Sequence, residues 1–244
     1  MTPKTPLTKD RKMCERGVKF IAEIGMNHNG NFGLFFELIK QASLAGADFA
    51  KFQLGWRAKP GEMNKLEQED VATILRCCDY HSIQPLFSVF NKESFELAES
   101  FKLPAYKIAS RTVKEEPELV REVINTGKTV FISLGMTDEV MPFGQSKSIF
   151  YLWCQSLYPV HPWELKQFPK NFVPGQISGL SDHSVGIELP LIAIMRGAEI
   201  IEKHFTLDKS DVTIRDHALS LTPDEFGQMV RLGTAIKKYK EIGI

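Results

Sequence analysis

The chain lacks any apolar run approaching the roughly 18 residues that a membrane-spanning helix requires. It also lacks an excess of either charge, since 30 basic side chains cancel 30 acidic ones. A balanced surface carries no electrostatic footprint for nucleic acid or for an anionic membrane, so neither is expected as a partner. Cysteine is sparse and has no metal-ligand spacing. Cys14, Cys77, Cys78 and Cys154 read as reduced, buried thiols of a cytoplasmic protein, with the adjacent Cys77 and Cys78 inside a helical pattern. The opening stretch MTPKTPLTKDRKMCERG has no apolar segment of the kind a secretory signal needs. It reads as a polar N-terminal extension, residues 1–17, ahead of a single domain over 18–244. No low-complexity linker or charge block interrupts that domain.

What is present is an ordinary globular composition, 43% hydrophobic and 25% charged. Eight strand-like segments recur along it, at 18–25, 48–53, 84–90, 105–110, 129–135, 148–156, 175–182 and 198–205. Helical patterns fall between them at 32–47, 66–82, 92–101, 117–127, 184–198 and 222–240. Strands alternating with helices imply βαβ units and a parallel sheet, and eight units close most simply into a TIM (β/α)8 barrel. A doubly wound open sheet competes, but the turn after the first strand, EIGMNHNG, is not the Gly-rich G-x-G-x-x-G that such folds typically carry there. Cap signals agree with the boundaries. Gly46 and Gly127 follow periodic helices just before strands, and Thr222 with Pro223 opens the last helix as N-cap and first helical residue.

Barrel enzymes place their chemistry at the C-terminal ends of the strands, so polar residues there carry the most functional weight. Glu23, Asn27, His28 and Asn29 end the first strand; Lys51 and Gln53 the second; Ser88 and Asn91 the third; Lys107, Ser110 and Arg111 the fourth. Ser133 ends the fifth, and Gln155, Ser156 and Tyr158 the sixth. Ser181, Asp182, His183, Glu202 and His204 close the list, with Asp216 and His217 on the following loop. A lone lysine in a strand is ordinarily an edge charge or a snorkelling side chain. Two in strands covered on both faces, Lys51 and Lys107, imply an anion, because burying unpaired cations costs several kcal/mol each. Four serines from four strands, Ser88, Ser110, Ser133 and Ser181, make that anion suit a phosphate.

Strand alternation puts Ser181 and His183 on one face and Glu202 and His204 on one face. A single histidine is more often a satisfied core residue than a ligand. Two with inward parity on neighbouring strands point to a divalent metal, and Mn²⁺, Mg²⁺, Co²⁺ and Zn²⁺ all suit such donors. His28 could equally serve the NHNG turn, and His81 and His161 read as surface residues.

The segments IAEIGMNHNG, AGADFAKFQ, LPAYKIAS, ISLGMT, GLSDHSVGI, IEKHFTLD and DHALSLTPDEF, in that order and spacing, resemble the sialic acid synthase (N-acetylneuraminate synthase, NeuB-like) family. The resemblance runs from about residue 20 to about 240. It implies a (β/α)8 barrel that uses a divalent metal to condense phosphoenolpyruvate with a sugar aldehyde, giving a 3-deoxy-2-keto acid and phosphate. It assigns phosphoenolpyruvate to Lys51, Ser88, Lys107, Ser110, Ser133 and Ser181, and the metal to His183 and His204. Glu23 would handle water or a proton at C2 and Asp216 would act beside the sugar, which Gln53, Tyr158 and Glu202 would also face. Members usually dimerise, so a homodimer is the implied assembly.

Departures from the family pattern lie on the acceptor side. Thr112, preceded by Arg111, stands where members usually carry a glutamate two residues after the strand-four serine, and Ser156 stands where an asparagine is usual. The loop after the second strand, LGWRAKPGEMNKLEQ, is shorter than expected, and the small C-terminal antifreeze-like domain of typical members has no counterpart in these residues. The expectation is a phosphoenolpyruvate-dependent synthase whose acceptor differs from N-acetylmannosamine, with Arg111 binding an anionic group on it. The alternative is a non-catalytic or accessory barrel that binds phosphoenolpyruvate or another phosphorylated ligand. Synthases of seven- or eight-carbon keto-acid phosphates share the chemistry but fit NHNG and SDHS less well.

Overall fold

Eight parallel strands close into a barrel in simple sequence order, each hydrogen-bonded to the next and the last to the first. The computed structural model describes residues 17–243, so the expected polar extension, apart from Gly17, and with it Cys14, lies outside the described residues. The strands are β1 (Lys19–Gly25), β2 (Phe49–Leu54), β3 (Gln84–Val89), β4 (Ala105–Ile108), β5 (Thr129–Ser133), β6 (Ile149–Cys154), β7 (Ile177–Asp182) and β8 (Ile200–His204). The helices are α1 (Phe35–Leu44), α2 (Gln68–Tyr80), α3 (Lys92–Ser100), α4 (Ser110–Glu115), α5 (Pro117–Asn125), α6 (Glu188–Met195) and α7 (Pro223–Glu241). The expected TIM barrel is therefore present, with one local correction. The fourth strand ends at Ile108, and Ser110 and Arg111 open a short helix, α4, that periodicity did not suggest.

Residue alternation sorts each strand into an outer and an inner row. The outer rows, such as Phe20, Ala22 and Ile24 of β1 or Val130 and Ile132 of β5, are buried in one core beneath the helices. The inner rows change character with height. At the lower level Ile21, Phe49, Leu86, Ala105, Phe131, Leu152 and Ile200 form a separate apolar cluster. Two residues further along the same seven strands stand Glu23, Lys51, Ser88, Lys107, Ser133, Cys154 and Glu202.

Gly179 is the eighth residue of the lower level, paired in register with both Leu152 and Ile200. A Cβ there would lie 2.2 Å from the Ile200 carbonyl oxygen, so only glycine lets β7 and β8 approach this closely. Helix ends follow the expected signals: Gly46 and Gly127 have positive φ (87° and 73°), and the Thr222 hydroxyl accepts from the Glu225 amide to cap α7. No helix of the described residues is long and apolar enough to cross a membrane. Of the cysteines, Cys78 is buried, Cys77 is only half-buried, and Cys154 is buried but lies on the inner row of β6.

Candidate active site

The inner row opens upward into a cavity of about 280 Å³. All the residues expected to hold phosphoenolpyruvate, metal or acceptor, together with Glu23 and Asp216, line it. For those on strands, convergence follows from parity: residues two apart share a face, and eight strands aim that face at one axis, while Ser110, Arg111, Tyr158 and Asp216 reach the cavity from the segments beyond the strand ends.

Register sets the charge pattern on the cavity floor. Glu23 and Lys51 are register partners on β1 and β2, and the Lys51 ammonium lies 2.8 Å from Glu23 Oε2. It also donates to Ser88 Oγ at 2.9 Å. Lys107 donates to Ser133 Oγ at 2.7 Å and to the Ile108 carbonyl. Glu202 stands between the two ammonium groups, 3.7 Å from each, and accepts from Ser181 Oγ at 2.8 Å. The expectation of unpaired cations is thus corrected: two buried lysines share two buried carboxylates.

Burial sets the protonation of this group. It pushes the Glu23 carboxyl up, and the neighbouring Glu202 charge adds to that, while Lys51 opposes both. For Glu202 burial works in the same direction, but Lys107, Lys51 and the Ser181 hydroxyl overcome it and hold the carboxyl at about 2. Burial lowers Lys107 despite the attraction of Glu202, whereas the pull of Glu202 and Glu23 outweighs burial and raises Lys51. The floor therefore holds one firmly ionised carboxylate and one whose ionisation is resisted.

Above the floor, Gln53 donates to Glu23 Oε1 at 2.6 Å, and Ser110 Oγ accepts from the Gly135 amide at 2.8 Å. A Cβ at Gly135 would sit 2.5 Å from Ser156 Oγ, so a side chain there would displace the hydroxyls that line this edge of the cavity. His183 and His204 face each other with ring centres 5.5 Å apart. Nδ1 of His183 donates to the Gln155 carbonyl at 3.1 Å, a bond that fixes the ring's orientation and leaves Nε2 as the nitrogen available to a ligand. Burial lowers the His204 pKa, favouring the neutral ring, and its buried Nδ1 has no hydrogen-bond partner. Two imidazoles facing each other across the cavity fit a divalent metal. No cluster of three or more His, Cys, Asp or Glu side chains able to hold an ion occurs among the described residues.

The rim contains groups that sequence reading missed. The Arg215 guanidinium sits 4.3 Å over the Tyr158 ring, whose neighbour is His183 at 4.0 Å, and its Nε lies 3.2 Å from Asp216 Oδ1. Arg111 lies 5.1 Å over Trp56, which packs near Phe90. Trp56, Met136 and Arg215 line the cavity from loops, where no periodicity marks which side chains turn inward, and Phe90, two residues beyond Ser88, lines it with the inward parity of its strand. Cys154 lines it as well, and strand parity with Leu152 could have found it.

Other strand-end residues have structural work elsewhere. Asn27 donates to the Phe205 carbonyl and Ser220, His28 bonds Asn64, and Asn91 caps α3. Gln155 holds its own loop through the Glu164 carbonyl and the Lys166 amide, while His217 joins Thr206 to Asn29. Asp182 turns outward to pair with Lys203. His161 stacks on the exposed Trp163, and His81 packs against Phe36.

A model of the NeuB family matches residues 59–243. The chain belongs to the NeuB family. It is 34% identical over 235 residues to an uncharacterized protein of Methanocaldococcus jannaschii, covering 86% of this chain and 68% of that one. It is 31% identical over 251 residues to pseudaminic acid synthase of Campylobacter jejuni, covering 88% and 73% of the two chains. Among solved structures, the N-acetylneuraminic acid synthetase of Leptospira borgpetersenii superposes with a TM-score of 0.77 over 93% of this chain and 86% of that one, at 24% identity. That last likeness carries the NeuB barrel fold alone.

Proposed function

We propose that this NeuB-family protein is a carbon–carbon bond-forming transferase that condenses phosphoenolpyruvate with a sugar aldehyde, giving a 3-deoxy-2-keto, sialic-acid-like acid and inorganic phosphate. The observation that carries the proposal is the floor: two buried lysines, each bonded to its own serine, beside a carboxylate whose ionisation is resisted. Residues 18–244 act as one catalytic barrel domain in the cytoplasm, and the proposed assembly is a homodimer.

Lys51 and Lys107, with Ser88, Ser110, Ser133 and Ser181, hold the charged groups of phosphoenolpyruvate and stabilise the departing phosphate. C3 of phosphoenolpyruvate bonds to the aldehyde carbon as the C2–C3 double bond opens, and the aldehyde oxygen takes up the proton that Glu23 holds and later regains from water, whose second proton leaves with the phosphate. Water then adds at C2, and the bond from C2 to the phosphate oxygen breaks, leaving the keto group. Glu23 receives the proton of that water; its raised pKa suits a group that both accepts and returns a proton. Gln53 orients Glu23 through its 2.6 Å hydrogen bond. Glu202 stands between the two ammonium groups and offsets their mutual repulsion, and Arg111, Tyr158 and Asp216 meet the acceptor at the rim. His183 and His204 would hold a divalent metal, which would supply Lewis-acid chemistry at the rim when bound.

Arg111 and its Trp56 platform support an acceptor that differs from N-acetylmannosamine and carries an anionic group. Purified protein incubated with phosphoenolpyruvate, Mn²⁺ and a panel of neutral and acidic aldoses is expected to release phosphate only when an aldose is present. Absence of release with every aldose would overturn the proposal.

A further inference from the structure

The two histidines at the metal position each follow a charged residue in sequence: Asp182 precedes His183 and Lys203 precedes His204. Alternation sends those charged residues to the outer face of the barrel, away from the cavity. They do not reach solvent there. Lys203 is fully buried and Asp182 is 2% exposed. They are direct register partners across β7 and β8, and the ammonium lies 2.5 Å from Asp182 Oδ2.

The pair also fixes the residue beyond His183. Lys203 Nζ donates to the Ser184 carbonyl, and Asp182 accepts from the Ser184 amide at 2.9 Å and from its hydroxyl at 2.8 Å. Residues 182 and 184 are therefore both tied to one ammonium, with His183 held between them. The His183 carbonyl in turn accepts from the Val160 amide at 3.0 Å. On the inner face the preceding register pair, Ser181 and Glu202, is joined by its own hydrogen bond. Strands β7 and β8 are thus stitched on both faces immediately below the point where the two imidazoles project.

A fully buried ion pair is a weak source of stability, because desolvation offsets most of the attraction; its better-attested role is to fix one arrangement among several. We propose that Asp182 and Lys203 are positioning residues that set the separation and orientation of the His183 and His204 imidazoles for a divalent cation. The inference rests on the metal reading given under Proposed function and extends it to two side chains that cannot touch the ion. Groups that orient metal ligands from behind typically govern affinity by about 10–100-fold.

The test measures Mn²⁺ binding to the full chain by titration calorimetry, without substrates, together with the melting temperature. Lys203→Met and Asp182→Asn are expected to weaken Mn²⁺ binding about 10-fold or more, with Asp182→Glu and Lys203→Arg recovering part of it. Phosphoenolpyruvate binding measured without metal is expected to stay within about twofold, because Lys51 and Lys107 do not share this network. Ser184→Ala, which removes two hydrogen bonds and no charge, and the double variant Asp182→Asn/Lys203→Met keep the test decisive where a lone buried charge prevents folding. Folded variants that bind Mn²⁺ like the wild type would overturn the proposal. A wild-type chain that binds no Mn²⁺ would overturn the metal reading itself and this inference with it, whereas loss on His183→Ala alone would spare the former and refute the latter.

Discussion

Glu23 and Lys51 face each other across the first two strands at 2.8 Å, both almost fully buried. Neither can lose its partner cheaply. Lys51→Met is expected to cost about 1–3 kcal/mol in denaturant unfolding, because it strips buried polar partners from Glu23 and Ser88 and leaves burial and Glu202 free to push the Glu23 carboxyl further up, and a Glu23→Gln/Lys51→Met double variant should regain part of that loss. Glu23→Gln alone should preserve the fold yet lower turnover by about 10²-fold or more, since the amide cannot take a proton from water.

The metal assignment predicts a different pattern. His183→Ala or His204→Ala should abolish metal-dependent phosphate release while circular dichroism stays native, and elemental analysis should find the metal gone. Chelation of the wild type should do the same reversibly. Full metal content in either variant would remove the residue from the ligand set.

At the rim, Arg111 is half-exposed, bonded to Glu115 at 2.7 Å and stacked on Trp56. Its replacement by alanine should raise KM for the acceptor and leave KM for phosphoenolpyruvate within about twofold, the signature of a contact confined to one substrate. Equal effects on both would place Arg111 outside the acceptor site.

Gly179→Ala should be the most damaging methyl addition in the barrel. The new Cβ would meet backbone, the Ile200 carbonyl at 2.2 Å, which cannot swing aside as a side-chain tip can. The expected cost lies at the upper end of the ~1–3 kcal/mol typical of overpacked cores, read from the shift in unfolding midpoint.

The cap of α7 gives a pH prediction. Glu225 is lowered from its usual value: burial raises it, but Lys209 and the Thr222 cap outweigh that. A carboxyl depressed in the folded state contributes stability above its unfolded pKa and loses it as pH falls through the folded one. Melting curves between pH 7 and 3 should therefore show a smaller acid loss for Glu225→Gln than for the wild type, and Thr222→Ala should cost about 1 kcal/mol at neutral pH.

Strand positions and inner-row side chains were legible because both depend on a two-residue period, which the sequence displays directly. Ser110 was placed correctly at the cavity, although the structure assigns it to a helix start. Pairing was not legible. Lys51 and Lys107 read as cations needing an anion, since nothing in a linear sequence reveals that Glu23 and Glu202 are their neighbours until the barrel closes. Lys203 was overlooked for a related reason: its outward parity suggests an ordinary charged residue, and only the register with Asp182 makes it a buried one. Trp56 and Arg215 lie on loops, whose inward side chains follow no period at all.

The apolar layer beneath the floor, from Ile21 round to Ile200, makes the site a blind shaft. Trp56, Tyr158, Arg111 and Arg215 line the same cavity as Lys51 and Lys107, and a reactant resting against them would cover one already seated at the lysines. Traffic through one doorway imposes a sequence: the deep reactant enters first, the shallow one second. Steady-state kinetics should accordingly follow a compulsory order of addition, with saturating aldose trapping the phosphoenolpyruvate already below it.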